Sequence, residues 1–439
     1  MNSLPKSTVQ DRLSRRHFVA ASVAATVAVP NCLLGAAGDA TVGPVLGHIE
    51  ENRLFCFIRP SRQGGVWLKV TDTTSGKVVA TLRAQANEEN DLCTRFEVKG
   101  LTPDRGYQGE FFNEQGQPLF AEAKFRARTP AAPDRKDTTI LGLGSCISST
   151  KFNEIWEQIA AQKIEGFCLL GDSPYIDRSA LSRNRAARRE FWGTLPALGA
   201  LAKSIPFWST WDDHDFGKND SDGRVAGKEN IRQAFMEYSA LANYGELGEG
   251  IYTRFRRGPV EVWMIDDRWF SQTAASWAAP DRPTCLGRRQ WEWLQRTLKE
   301  STAPFKLLCT GMVWYPKGNT EKDHWETYAV EREALFAFIR KEKIPGIMLA
   351  SGDIHVSRHH DYGSGRLGYP LHECVVSPMH ERVIPSLDVE HPARVWSLPA
   401  PNVFLKVEAT PTKLTARWLN MAGKEIYTFS VDSKTLTGK

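Results

Sequence analysis

The chain has 439 residues, about three typical domain lengths, so two or three domains are expected. Hydrophobic residues make up 41%, charged residues 24% and aromatic residues 10%, a globular composition that excludes a disordered or low-complexity chain. A formal charge of +5, from 56 bases and 51 acids, is too small to argue for a stable nucleic-acid partner. No apolar run reaches the ~18 residues that a membrane-spanning helix needs.

Residues 1–40 read as an export signal. Ser14-Arg15-Arg16-His17-Phe18-Val19-Ala20 leads into an apolar stretch from Phe18 to Val29, and the small residues Gly35-Ala36-Ala37-Gly38-Asp39-Ala40 follow. A charged start, a short apolar middle and a small-residue end define a secretory signal, to be left out of fold reasoning. The paired arginines resemble a twin-arginine signal, which implies the twin-arginine translocase as a partner and a periplasmic or secreted destination. Beyond Cys32 there are seven cysteines, an odd number, so at least one thiol has no disulfide partner. Cys168 and Cys309 lie inside apolar runs and read as core thiols.

Residues 41–130 show short runs rich in β-branched and aromatic residues, among them Arg53 to Ile58, Val66 to Val70, Lys77 to Leu82, Cys93 to Val98 and Tyr107 to Phe112. Gln63-Gly64-Gly65, Thr74-Ser75-Gly76 and Thr102-Pro103-Asp104-Arg105-Gly106 supply the turns between them. The pattern predicts a small all-β sandwich of fibronectin III or immunoglobulin type, serving as a scaffold. Thr129 to Lys136 is a proline-rich polar linker. From residue 137 to 439 strands and helices alternate, which predicts an α/β domain. Its strands are expected at Thr139 to Leu143, Gly166 to Leu170, Pro206 to Thr210, Val260 to Ile265, Phe305 to Cys309 and Gly346 to Leu349. Helices are expected at Phe152 to Gln162, Gly287 to Leu298 and Val330 to Lys341. A closing antiparallel meander is expected from Val403, Leu414 and Ile426 onward.

Function in open α/β sheets gathers at the carboxyl ends of strands. Four of these strands run into residues that ligate metals: Gly144-Ser145-Cys146, Gly171-Asp172-Ser173-Pro174-Tyr175, Trp211-Asp212-Asp213-His214-Asp215 and Gly352-Asp353-Ile354-His355. Burying that many carboxylates without partners costs several kcal/mol each, so a cation among them is the economical reading. His359 and His360, just beyond, read as an exposed turn.

This set of four motifs resembles the PhoD-like alkaline phosphatases, a branch of the calcineurin-like metallophosphoesterases. Leu286-Gly287, Gln290-Trp291 and Trp293-Leu294 add to the likeness. The resemblance implies an α/β/β/α sandwich that hydrolyses phosphate mono- or diesters, of small molecules or lipids, with hydroxide activated by two metals. It implies ferric iron at Cys146, Asp172, Tyr175 and His355, with Asp172 as the bridge. Asp213 and Asp353 replace the nitrogen ligands of simpler members, and hard oxygen donors shift the second site towards calcium. His214, beside a metal carboxylate, is the candidate general acid. Asp266 and Arg268 either position the substrate phosphate or form a structural ion pair. Asn219 and Asp220 either contact a further calcium or belong to a solvated loop. The competing reading is a non-catalytic, metal-stabilised surface binding protein.

Overall fold

The structure, a computed structural model, describes residues 41–132 and 138–438; the export-signal segment and the second half of the linker lie outside the described residues. Two small antiparallel sheets come first. One holds Val42–Ile49, Arg53–Arg59 and Thr94–Lys99; the other holds Val78–Ala86, Gly64–Asp72, Gly106–Phe112 and Lys124–Arg128, in that spatial order. Side chains alternate across a strand, so Leu68, Val70, Phe96, Val98, Phe111 and Phe125 meet in one core between the sheets.

The three-stranded sheet turns its other face onto the α/β part. Val42, Val45, Phe55 and Phe57 share a cluster with Trp156, Trp192 and Tyr238, and the His48 N–H donates to the Ala240 carbonyl at 2.7 Å. Gly47 permits that approach, because a Cβ there would lie 2.0 Å from the same carbonyl oxygen.

Two larger sheets carry the rest. The six-stranded sheet runs Phe207–Thr210, Phe167–Leu170, Thr139–Gly144, Val403–Ala409, Lys413–Asn420, Glu425–Asp432. The seven-stranded sheet runs Thr253–Arg257, Val260–Met264, Phe305–Cys309, Ile347–Ser351, His372–Val375, Ser357–Asp361, Arg394–Leu398. The seven-stranded sheet is parallel at its centre, and the six-stranded sheet is parallel across its first three strands and antiparallel beyond them. Phe167–Leu170 is buried at every residue, which explains why it reads as a continuous apolar run rather than an alternating one. Phe305–Cys309 is buried throughout as well, with the Lys306 ammonium donating to the Ala303 carbonyl. Leu141, Leu143, Cys168 and Leu170 pack against Val262, Leu307 and Leu349 from the facing sheet in a single cluster. The Trp418 indole N–H donates to the Val375 carbonyl at 3.0 Å, and the Thr210 hydroxyl donates to the Ile265 carbonyl at 2.8 Å, tying the two sheets together.

Helices cover the outer faces. Asn153–Ala161 buries Ile155, Trp156 and Ile159; Gly287–Glu300 buries Trp291, Trp293, Leu294 and Leu298 at helical spacing; Ala329–Lys341 buries Leu335, Phe336 and Ile339. The C-terminal meander docks antiparallel on Thr139–Gly144, extending the first sheet. Helices Leu181–Thr194, Pro196–Ala202 and Lys228–Glu237 were not among those expected. One expectation is corrected: His359 and His360 are not on an exposed turn but buried within Ser357–Asp361, where His360 faces Glu373 and His359 stacks on Phe429. All seven cysteines among the described residues are free and buried.

Candidate metal centre

The four anticipated motifs come together, each at the carboxyl end of its strand. Thr139–Gly144 delivers Cys146, Phe167–Leu170 delivers Asp172, Phe207–Thr210 delivers Asp212 and Asp213, and Ile347–Ser351 delivers Asp353 and His355. Four of these residues take left-handed backbone: Cys146 at φ 54, Asp172 at 51, Asp353 at 69 and His355 at 54. Non-glycine residues in sparse backbone regions cost of order 1–3 kcal/mol each and persist where surrounding structure over-determines them. Here the bend turns each side chain off its strand axis into a common space.

Donor atoms of Cys146, Asp172 and His355 lie within 4.8 Å of one another, and so do those of Asp172, Asp213 and His214, and of Asp212, Asp213 and Asp353. Asp172 therefore belongs to two adjacent groups, and Asp213 belongs to two of these and to a further one with Asp220 and Asp323. Cys146 Sγ lies 3.5 Å from Asp172 Oδ2 and accepts from the Ser377 hydroxyl at 3.1 Å. Tyr175 brings its hydroxyl oxygen to 3.0 Å from His355 Nε2. All the metal-ligand candidates thus sit in one cluster, with Tyr175 and His355 lining a cavity of about 320 Å³ that opens to solvent.

The electrostatics fit a cation. Burial and the neighbouring Asp213 push the Asp172 carboxyl up to about 7, and burial raises Asp353 and Asp212 well above the ordinary carboxylate range. Burial, then Asp172, does the same to the Cys146 thiol and the Tyr175 phenol. His355 is pulled down to about 3 by burial, which keeps its imidazole in the neutral, ligating form. A set of acidic donors that disfavour their own charge, beside a neutral imidazole, would be completed by positive ions.

His214 presents Nδ1 to the Asp177 carboxylate at 2.6 Å. Burial pulls its pKa down, but Asp172, Asp213 and Asp177 together outweigh that and raise it. Arg268 is 1% exposed and lies beneath the centre. Its Nε donates to Asp212 at 2.8 Å, one Nη donates to the Ser221 carbonyl at 2.9 Å, and the other lies 3.4 Å from Asp323. Asp266 instead accepts from the Trp211 indole and the Ile251 N–H, so it does not pair with the Arg268 side chain. Asp220 joins Asp213 and Asp323 in a fourth group of donor atoms. Arg268→Met is expected to cost about 3–5 kcal/mol in a denaturation experiment, because it leaves Asp212 buried without its countercharge.

Several residues escaped sequence reasoning. Asp215 Oδ2 accepts the N–H of both Asp172 and Asp212, at 2.8 and 2.7 Å, and so holds two ligand-bearing loops together. Lys317 places its ammonium 2.7 Å from both Asp323 and Asp353. Asp177 and His380 complete the surroundings of His214 and Tyr175. Asp215 stood in the Trp211–Asp215 motif, but its role depends on a partner 43 residues away; the others carried no local signal.

Two facing mixed sheets flanked by helices, with carboxylate, thiolate and imidazole donors at the strand ends, define the metallophosphoesterase type of α/β/β/α fold, preceded here by all-β sheets. The family profile of the PhoD-like phosphatases matches residues 142–398, and the chain belongs to that family. Alkaline phosphatase D of Bacillus subtilis (strain 168) is 25% identical over 208 residues, which is 40% of this chain and 35% of the relative. The match thus spans about a third of that relative's length. A solved structure of PhoD superposes with a TM-score of 0.73 at 17% identity, covering 90% of this chain and 88% of the other. The purple acid phosphatase PPD1 from yellow lupin seeds gives 0.67 at 11% identity, over 90% and 74%.

Proposed function

We propose that the chain is an exported, metal-dependent phosphoesterase of the alkaline phosphatase D kind, acting on phosphate mono- or diesters at a dinuclear centre. The observation that carries this reading is the position of Asp172, the one side chain common to the Cys146–Asp172–His355 and Asp172–Asp213–His214 groups. Cys146, Asp172, Tyr175 and His355 would hold ferric iron, while Asp172, Asp213 and Asp353 would hold calcium. When bound, the two ions supply a nucleophile at neutral pH and neutralise charge on the phosphoryl oxygens.

The chain's own residues account for the rest. The Nδ1 proton of His214 is committed to Asp177, so the ring's Nε2 is the atom that passes a proton to the leaving oxygen. Asp177 holds the ring in that orientation. Arg268 acts through Asp212 and Asp323, keeping the loop after Phe207–Thr210 in register, rather than by touching the ester. The test is metal analysis of purified protein together with hydrolysis of aryl phosphate mono- and diesters. Bound metal and metal-dependent hydrolysis are expected. Metal-free protein that hydrolyses neither ester after reconstitution would favour the surface-binding alternative.

The export part of the reading rests on Arg15 and Arg16. Changing both to Lys is expected to leave the protein in the cytoplasm, as measured by fractionation; continued export would point to another secretion route.

A further inference from the structure

The loop from Ser377 to Arg382, which follows strand His372–Val375, plays no part in any of the four motifs, yet it is fastened to the centre at several points. The Met379 N–H donates to the carbonyls of Ser145 and Cys146 at 3.0 and 3.1 Å. The Ser377 hydroxyl donates to Cys146 Sγ. The His380 carbonyl accepts from the Asn402 N–H at 3.1 Å. His380, 7% exposed, is thereby held with Nε2 at 3.1 Å from the Tyr175 oxygen.

The hydrogen-bond pattern around this histidine has one consistent solution. Its Nδ1 accepts the Arg382 backbone N–H at 2.8 Å, so Nδ1 carries no proton. A neutral imidazole has one N–H, which must then be on Nε2, directed at Tyr175. The Tyr175 oxygen accepts that bond, and its other side lies 3.0 Å from His355 Nε2. If Tyr175 and His355 both ligate a metal, the phenolic proton is lost while the His380 donor stays in place.

We propose that His380 is a positioning residue that donates a hydrogen bond from Nε2 to the Tyr175 phenolate, fixing its orientation and drawing electron density from the oxygen that binds the metal. The inference rests on the reading of Tyr175 as a ligand of ferric iron. Outer hydrogen bonds of this kind orient ligands and tune the metal they hold. A donor on a phenolate lowers the energy of its filled orbitals, so phenolate-to-iron charge transfer needs a more energetic photon.

The experiment is visible absorption spectroscopy of purified, iron-loaded protein, with iron content measured on the same samples. Replacing His380→Leu is expected to move the charge-transfer band to longer wavelength. His380→Gln, whose amide N–H reaches towards the same oxygen, is expected to return it most of the way. If the leucine variant does not fold, His380→Asn, too short to reach Tyr175, carries the same expectation of a red shift. A band that stays put in an iron-replete leucine or asparagine variant overturns the proposal while leaving Tyr175 a ligand. Wild-type protein that is full of iron but has no band overturns the phenolate reading and this proposal with it.

Discussion

Asp172→Asn is expected to abolish most phosphoesterase activity and to release at least one metal ion. The carboxylate is buried, lies 3.5 Å from Cys146 Sγ, and shares donor groups with His355 on one side and Asp213 on the other. An amide of the same shape keeps one coordinating oxygen but cannot offer a charged oxygen to each of two ions. Metal-ion charge neutralisation is worth several kcal/mol in such reactions, so a loss of about 10³-fold or more follows at 1.4 kcal/mol per decade. The substitution also removes one negative charge from a crowded, buried set. The metal-free variant is therefore expected to melt no lower than metal-free wild type. A variant that keeps both metals and near-normal turnover rules out the bridging role. One that loses activity because it no longer folds is recognised by that melting comparison.

His214→Ala is expected to behave differently, keeping the metals and lowering turnover by about 10²–10⁴-fold. Its backbone N–H bonds to Asp172 and Asp213, at 3.3 and 3.0 Å, survive the substitution, so the ligand geometry has no reason to change. The loss should shrink for aryl esters whose leaving group is already a stable anion, because these need no proton. It should grow for alkyl-like leaving groups. Asp177→Asn should follow the same trend with a smaller amplitude, since it removes the charge that orients and supports the imidazolium but leaves the ring. Metal analysis of the His214 variant checks the assignment: an emptied site makes His214 a ligand rather than an acid. A loss independent of leaving group removes the proton-transfer role.

These predictions depend on features of unequal visibility in the amino-acid sequence. The core strands were legible because a parallel strand buried on both faces must be apolar throughout, as in Phe167-Cys168-Leu169-Leu170. The ligand motifs were legible because a strand end, a glycine or tight turn and a chemically hard or soft donor are adjacent in the chain. What joins those motifs to each other was not written locally. Asp215 braces Asp172 across 43 residues, and Tyr175 meets His380 across 205. Nothing near Lys317 announces that its ammonium lies between Asp323 and Asp353.

The buried histidines show the same limit from the opposite direction. Ser357-Arg358-His359-His360-Asp361 is polar enough to read as a surface turn, since polar side chains are costly to bury alone. It forms an interior strand because Glu373, Tyr362 and Tyr427 supply hydrogen-bond partners from elsewhere in the fold. Local pattern and apolar runs thus determined the sheet-forming strands and the metal-ligand candidates by sequence alone, while the family entered through the resemblance of the four motifs taken together. The partners that orient those ligands, and the burial of polar strands, were decided by tertiary packing, because satisfying a buried polar group depends on atoms that the chain brings together only when folded.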